Sequence, residues 1–403
     1  MDNQRLLIWA TFGLLAWMTY QAWVQDYGPA PGEPTATEQT APPAVDELSL
    51  PELPADTADT PDIADDAPPL DGEPAATDVE ADDDIIRIRT DVLDIEVNTR
   101  GGTLRRVALR NYPVAKDQPD VLVELLSPGR TELGLIQSGL NSAGDGPKAN
   151  HTALFSSTAS EFELGDADEL LVPLSWEDGQ GVTVEKTLRF TRGSYRIDIL
   201  HHLRNDSATE WRGADYAQIL RRSRETERSM FDVDSYSFDG PVIYDGERSE
   251  KLDRDDLISD GAHSQQAANG WTATIQHHFL SALVPPADAQ YVYNVSVRGD
   301  VSLSSLISTP SVVVPPGGEH TFEMTAFVGP KLQEQLEDIA ETLKLTVDYG
   351  WLTILSQPLF WLLSMVYSFT SNWGVAIIVV TILIKAVFYK LTEASGRSMA
   401  KMR

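Results

Sequence analysis

The residue in this sequence best placed to do chemistry is a lysine inside an apolar run. From Trp373 to Leu391 the chain is almost wholly apolar, and its core, Gly374 to Ile384, carries no charge. Lys385 lies twelve positions after Trp373, about 18 Å along a helix. An ionisable group at that depth of a membrane span is costly to bury and marks a functional site. The competing reading is solvation: Lys390 follows within about 7.5 Å of helix, and a lysine stem snorkels much of that distance.

The other candidates for chemistry are weaker. The chain has no cysteine, which excludes disulfide scaffolds, thiolate metal sites and cysteine nucleophiles. His201-His202 and His277-His278 are adjacent pairs whose side chains diverge in a strand or a helix, and metal-binding, nucleotide-binding and nucleophile-elbow motifs are absent. Asp232-Val-Asp234 and Asp253-Arg-Asp255-Asp256 lack the spacing of a calcium loop and read as solvated loops. No enzyme, cofactor or metal site is expected. The net charge of −30 argues against nucleic acid as a partner, because phosphate binding needs clustered Lys and Arg.

The elements that must position Lys385 follow from texture along the chain. Leu6 to Trp23 is an apolar run of about 27 Å as helix, near the thickness of a bilayer core. Trp9, Trp17 and Trp23 and the missing small-residue cleavage site favour a retained anchor, residues 1–26, over a signal peptide. Residues 27–84 are rich in Pro, Ala, Asp and Glu and contain no Lys or Arg, so their charges repel and a solvated linker is expected.

From Ile85 the texture becomes that of strands. Leu93, Ile95 and Val97 alternate with polar residues, as do Tyr195, Ile197 and Ile199, then Tyr291, Tyr293, Val295 and Val297, then Phe322, Met324, Ala326 and Val328. Turn signals such as Gly101-Gly102 and Pro315-Pro316-Gly317-Gly318 separate them. One large antiparallel β sandwich or barrel over residues 85–330 is expected.

Beyond Gly329-Pro330 the period is helical. Leu332, Leu336, Ile339 and Leu343 predict a connecting helix over 331–348. Residues 349–371 are apolar and aromatic, and Pro358 suits the first turn of a helix there. Leu359, Leu362, Leu363 and Val366 would share one face, either at a membrane interface or in a buried core. The second span is 372–392. The tail, 393–403, carries Arg397, Lys401 and Arg403 against Glu393, which puts this end on the cytoplasmic side. Arg5 and the terminal amine place the N-terminus there too, leaving residues 24–372 outside.

Several segments then resemble one family. Leu345-Thr-Val-Asp-Tyr-Gly-Trp351, Ser356-Gln-Pro-Leu-Phe360 and Asn372-Trp-Gly374 are similar to the join between outer domain and core in the YidC membrane protein insertases. Ser398-Met-Ala-Lys-Met-Arg403 resembles the start of that family's first cytoplasmic loop. Gln21-Ala-Trp23, Thr90-Asp-Val-Leu-Asp94, Asn98-Thr-Arg-Gly-Gly102, and Gly270-Trp271 with Gln276, Phe279 and Pro285 extend the likeness along the chain.

The resemblance implies a multi-pass protein of the bacterial inner membrane, with a periplasmic β-supersandwich of the kind seen in sugar mutarotases. It implies an interfacial helix, carried by Trp351, Leu352, Pro358, Leu359, Phe360 and Leu363, leading into the first helix of the insertase core. Lys385 stands where the family usually has an arginine that faces a hydrophilic groove and meets polar substrate segments. It keeps the charge without the planar donor fork, and Lys390 replaces a proline common in the family. The partners implied are nascent membrane proteins, the lipid bilayer and components of the Sec translocon. The family continues past this point, so the sequence is expected to be the N-terminal portion of an insertase. Two rival readings use the outer domain alone. One is a membrane-tethered binding module for carbohydrate or protein, drawing on Trp176, Trp211, Trp271 and Glu185, and the other is an enzyme on the same sandwich.

Overall fold

The computed structural model describes residues 85–129, 131–143, 146–222, 238–347 and 353–401. The anchor expected at 1–26, the linker at 27–84, the Asp232–Asp234 stretch, and Trp351 and Leu352 lie outside the described residues.

Two sheets form a sandwich. Among the described residues the larger has eleven strands. It runs from a polar edge at His263–Ala268 through Gln290–Arg298, Val301–Ser308, Trp211–Arg222, Gly134–Ser142, Thr103–Ala115 and Leu93–Asn98 to Ile85–Arg89 and a three-residue edge, Glu161–Glu163. The smaller, of nine, runs from Ser249–Lys251 through Gly240–Tyr244, Trp271–Ile275, Phe279–Val284, Gly318–Pro330, Arg196–Asn205, Val182–Thr191 and Glu169–Glu177 to Ser156–Ser157. The pairings are antiparallel except that of Ile85–Arg89 with Glu161–Glu163, which is parallel.

The two-residue period decides which side chains meet between the sheets. Leu93, Ile95 and Val97 turn inward from the larger sheet, and Ile197, Ile199, Met324 and Ala326 from the smaller, all within one continuous core. Gly101 and Gly102 turn the chain between two strands with φ of +71° and +58°, the left-handed region that costs glycine least. Closeness adds a second reason at Gly101, where a Cβ would fall 2.2 Å from the carbonyl oxygen of His151.

Helix is scarce within the sandwich. α1 (Arg254–Asp260) is a short helix whose Asp253 accepts from the backbone N–H of Asp255, so the Asp253–Asp256 cluster is a helix cap and first turn. The expected connecting helix over 331–348 is two pieces, α2 (Gln333–Ile339) and a 3-10 helix (Glu341–Thr346). The break falls at Ala340, whose extended backbone (φ −153°, ψ 126°) returns the chain toward the sandwich. Leu336 and Leu343 thereby both reach the core, each with no exposed surface.

α3 (Thr353–Thr370) and α4 (Trp373–Lys401) follow. Pro358 sits inside α3, one turn later than the first-turn position expected for it. Its missing N–H removes one ladder bond, and the run Ile354-Leu355 before it extends the helix toward the N-terminus. α4 continues through Lys401, into the stretch expected to open a loop, where Glu393, Ala394, Met399 and Ala400 favour helix.

Candidate functional site

α3 and α4 form a hairpin joined at Ser371-Asn372. Ser371 adopts φ +49°, and its N–H donates to Tyr367 O at 2.7 Å. Asn372 caps α4, its side-chain oxygen accepting from Val375 N–H at 3.1 Å. The helices meet along Val366, Ala376 and Val380, flanked by Leu362, Leu363, Tyr367, Val379 and Ile384. Tyr367 and Trp373 stack at 4.0 Å between ring centroids, locking the turn.

Lys385 lies nine residues beyond Ala376, about two and a half turns, so it stands on the side of α4 opposite the seam. That side is exposed and largely apolar: Ile378, Ile382, Phe388 and Tyr389 all present more than half their surface. Lys385 is the one charged residue between Trp373 and Tyr389. Among the described residues, Trp373–Lys390 is the one helical stretch long and apolar enough to cross a membrane. The arrangement offers an exposed cation on a largely apolar helix surface.

Leu363 packs in the seam, Leu359 is half-buried, and Pro358 and Phe360 are exposed on α3. Pro358, Leu359, Phe360 and Leu363 thus lie on α3, and Lys385 on the side of α4 away from the seam. The tryptophans considered for carbohydrate serve in packing. Trp271 is fully buried, stacked on Tyr244 at 5.6 Å, with Nε1–H donating to Thr342 Oγ1 at 3.1 Å. Trp211 packs edge-on to Phe322 at 6.0 Å, and Trp176 lines the core. Glu185 is exposed on the strand opposite His202.

Sequence reasoning missed a cluster between the sheets. Lys186 is almost completely buried and donates from Nζ to Gly101 O (2.7 Å) and Ser138 O (3.2 Å) on the opposite sheet. His201 is its direct cross-strand partner, and His151 Nδ1 lies 2.7 Å from Tyr216 Oη. Burial pushes Lys186 down to about 7, and His151 falls to about 4 through burial and then the nearby Lys186 charge. The signal was present: Val182, Val184, Lys186, Leu188 and Phe190 occupy the inward register of one strand. The histidine pair divides as a strand demands, with His201 buried and His202 outside against Thr321 at 2.9 Å.

A β-sandwich followed through a docked connector by an apolar helical hairpin defines a class, a large β domain joined to apolar helices of which one is long enough to cross a membrane. Comparison with known proteins gives the family. Residues 85–362 match the YidC periplasmic domain. The membrane protein insertase YidC of Methylococcus capsulatus is 40% identical over 407 residues, covering 100% of this chain and 71% of the relative. That of Thioalkalivibrio sulfidiphilus is 40% identical over 414 residues, with 100% and 72% covered. That of Nitrosococcus oceani is 38% identical over 407 residues, again with 100% and 72% covered. The chain belongs to the YidC family of membrane protein insertases. Among solved structures, a galactose mutarotase-like protein from Lactobacillus casei matches 60% of this chain and 99% of its own, with a TM-score of 0.41 and 11% identity. A likeness that slight carries no argument about sugar chemistry.

Proposed function

We propose that this chain assists the insertion of membrane proteins by an electrostatic and solvational route, with Lys385 as the contact for polar substrate segments. The observation that carries the reading is the single cation on an exposed helix face that is largely apolar, opposite the seam with α3. Carrying polar backbone or an acidic side chain into hydrocarbon is expensive. A positive charge at that depth lowers the cost for an acidic stretch in transit, after which apolar segments partition into lipid.

In this reading α4 spans the inner membrane with its basic end cytoplasmic, and the sandwich is periplasmic with the supersandwich form of the family. α3, uncharged and exposing its own Phe360, Trp361 and Phe369, lies at the outer interface. Nascent membrane proteins and the bilayer are the direct partners, and the Sec translocon is an associated one. The tryptophans weighed for a carbohydrate module are committed to packing, which leaves that reading without support.

The test is Lys385→Glu in the membrane-embedded protein, assayed by protease protection of substrates with acidic translocated tails. Insertion should fall several-fold for acidic tails and little for neutral ones. Equal insertion of both by the variant and the parent would refute the contact.

A further inference from the structure

Lys186 is held in a setting built for an amine without a charge. Its Nζ has two acceptors, Gly101 O and Ser138 O. A neutral amine has two N–H groups to give, whereas an ammonium has three. The described groups that pair with it or flank it are imidazoles, apolar side chains and backbone carbonyls. On one neighbouring strand its partner is Leu174, on the other His201. Val184 and Leu188 flank it along its own strand. From the opposite sheet come the Gly101-Gly102 turn and Ser138, and over that turn lies His151, hydrogen-bonded to Tyr216. No carboxylate stands among them. The Nε2 atoms of His151 and His201 are buried without a hydrogen-bond partner. The turn is shaped around the lysine: a Cβ at Gly102 would lie 3.0 Å from its Cδ and 3.2 Å from its Nζ.

We propose that Lys186 is the bolt of a proton-operated latch between the two sheets, closed when the amine is neutral and loosened when it takes up a proton. The third hydrogen of the ammonium has no carbonyl or carboxylate acceptor among the described contacts, and its charge meets two imidazoles with no counter-ion. Relief comes by parting the 99–103 turn and the 149–153 loop from the smaller sheet, which lets water reach Nζ. Within the folded protein the proton arrives near pH 7, where burial has brought this lysine.

The sign of the stability effect follows. Between about 7 and the ordinary lysine value of 10.5 the unfolded chain holds a proton that the folded chain lacks. Stability therefore rises with pH across that window and is flat for this group below it. The two histidines, both held below 6.5, add a separate loss as pH falls through the acid range.

The experiment uses the full chain in detergent micelles, unfolded in guanidinium chloride at pH 7.5 to 9 and followed by hydrogen exchange at pH 6 and 8.5. The unfolding equilibrium constant of the sandwich should fall about tenfold per pH unit, and Lys186→Met should abolish that slope. Exchange in 99–103 and 149–153, corrected for its intrinsic pH dependence, should be about thirtyfold faster at pH 6 than at pH 8.5 in the parent and indifferent to pH in Lys186→Met. A parent with a flat profile overturns the proposal whether or not Lys186→Met folds. So does a slope unchanged in that variant. His201→Gln should keep the slope above pH 7.5, and its loss there would assign the proton elsewhere.

Discussion

The docking of α2 and the 3-10 helix makes a quantitative prediction about how the sandwich is tied to the helices after it. Leu336 and Leu343 have no exposed surface, and each replaced by alanine should cost about 2–5 kcal/mol, from lost transfer energy and the cavity left. The two sit on one connector, so their effects should not add. Once the first substitution frees the connector the second has less to lose, and the double variant should fall short of the sum by about 0.5–3 kcal/mol. Trp271→Phe should cost less: it keeps the ring against Tyr244 but strips Thr342 of its donor, a loss of about 1 kcal/mol. The assay is guanidinium unfolding of the micelle-embedded chain, paired with limited proteolysis of residues 333–347. Single variants should expose that stretch to cleavage before the sandwich melts. Losses below about 1 kcal/mol for both leucines, or cleavage rates equal to the parent's, would refute the view that the connector is part of the core.

Two further substitutions test the interior. Gly101→Ala places a carbon 2.2 Å from His151 O in a left-handed backbone; the conformation costs about 1–2 kcal/mol, and displacing the 149–153 loop should add about 2 more through lost hydrogen bonds. Gly179→Ala, also left-handed but with open space around it, should show only the conformational part when both variants are unfolded in guanidinium chloride. Asp215 is buried and accepts from Tyr291 Oη, and burial raises it from 3.8 to about 6. Its stabilising contribution is full below 3.8 and lost as pH rises through 6. Asp215→Asn should therefore raise stability at pH 8 by at most about 3 kcal/mol and change little at pH 4, as read from denaturant midpoints at the two pH values.

The parts of this architecture written in local pattern were the legible ones. The alternation at Leu93–Val97 and Tyr291–Val297 marks faces because a strand has no other way to hide every second side chain. What alternation does not encode is the facing strand. Lys186 stands in a flawless inward register, yet only the opposite sheet reveals the two carbonyls that make a buried lysine tenable. The helical period across Leu332–Leu343 was similarly real, but Ala340 breaks it because the core beneath demands both leucines from a path that one straight helix does not follow. Pro358 signalled a helix start by local rule, and the apolar residues before it outweighed one missing N–H. Lys385 was legible as an anomaly in an apolar run; that it faces away from α3 depended on which residues of α4 meet Val366.

The margins of the two sheets carry a consequence for crowding. The smaller sheet ends on Ser156–Ser157 and Ser249–Lys251, the larger on Glu161–Glu163 and the polar His263–Ala268. A domain fixed to a membrane diffuses in two dimensions and meets its neighbours again and again at one height. In that geometry a long apolar edge would be a standing invitation to zip one copy to the next. Three of these margins are two or three residues long and the fourth, of six, is mostly polar. A colliding copy finds little apolar backbone to grasp, so these sandwiches should stay separate at densities that would knit together sheets with longer, greasier borders.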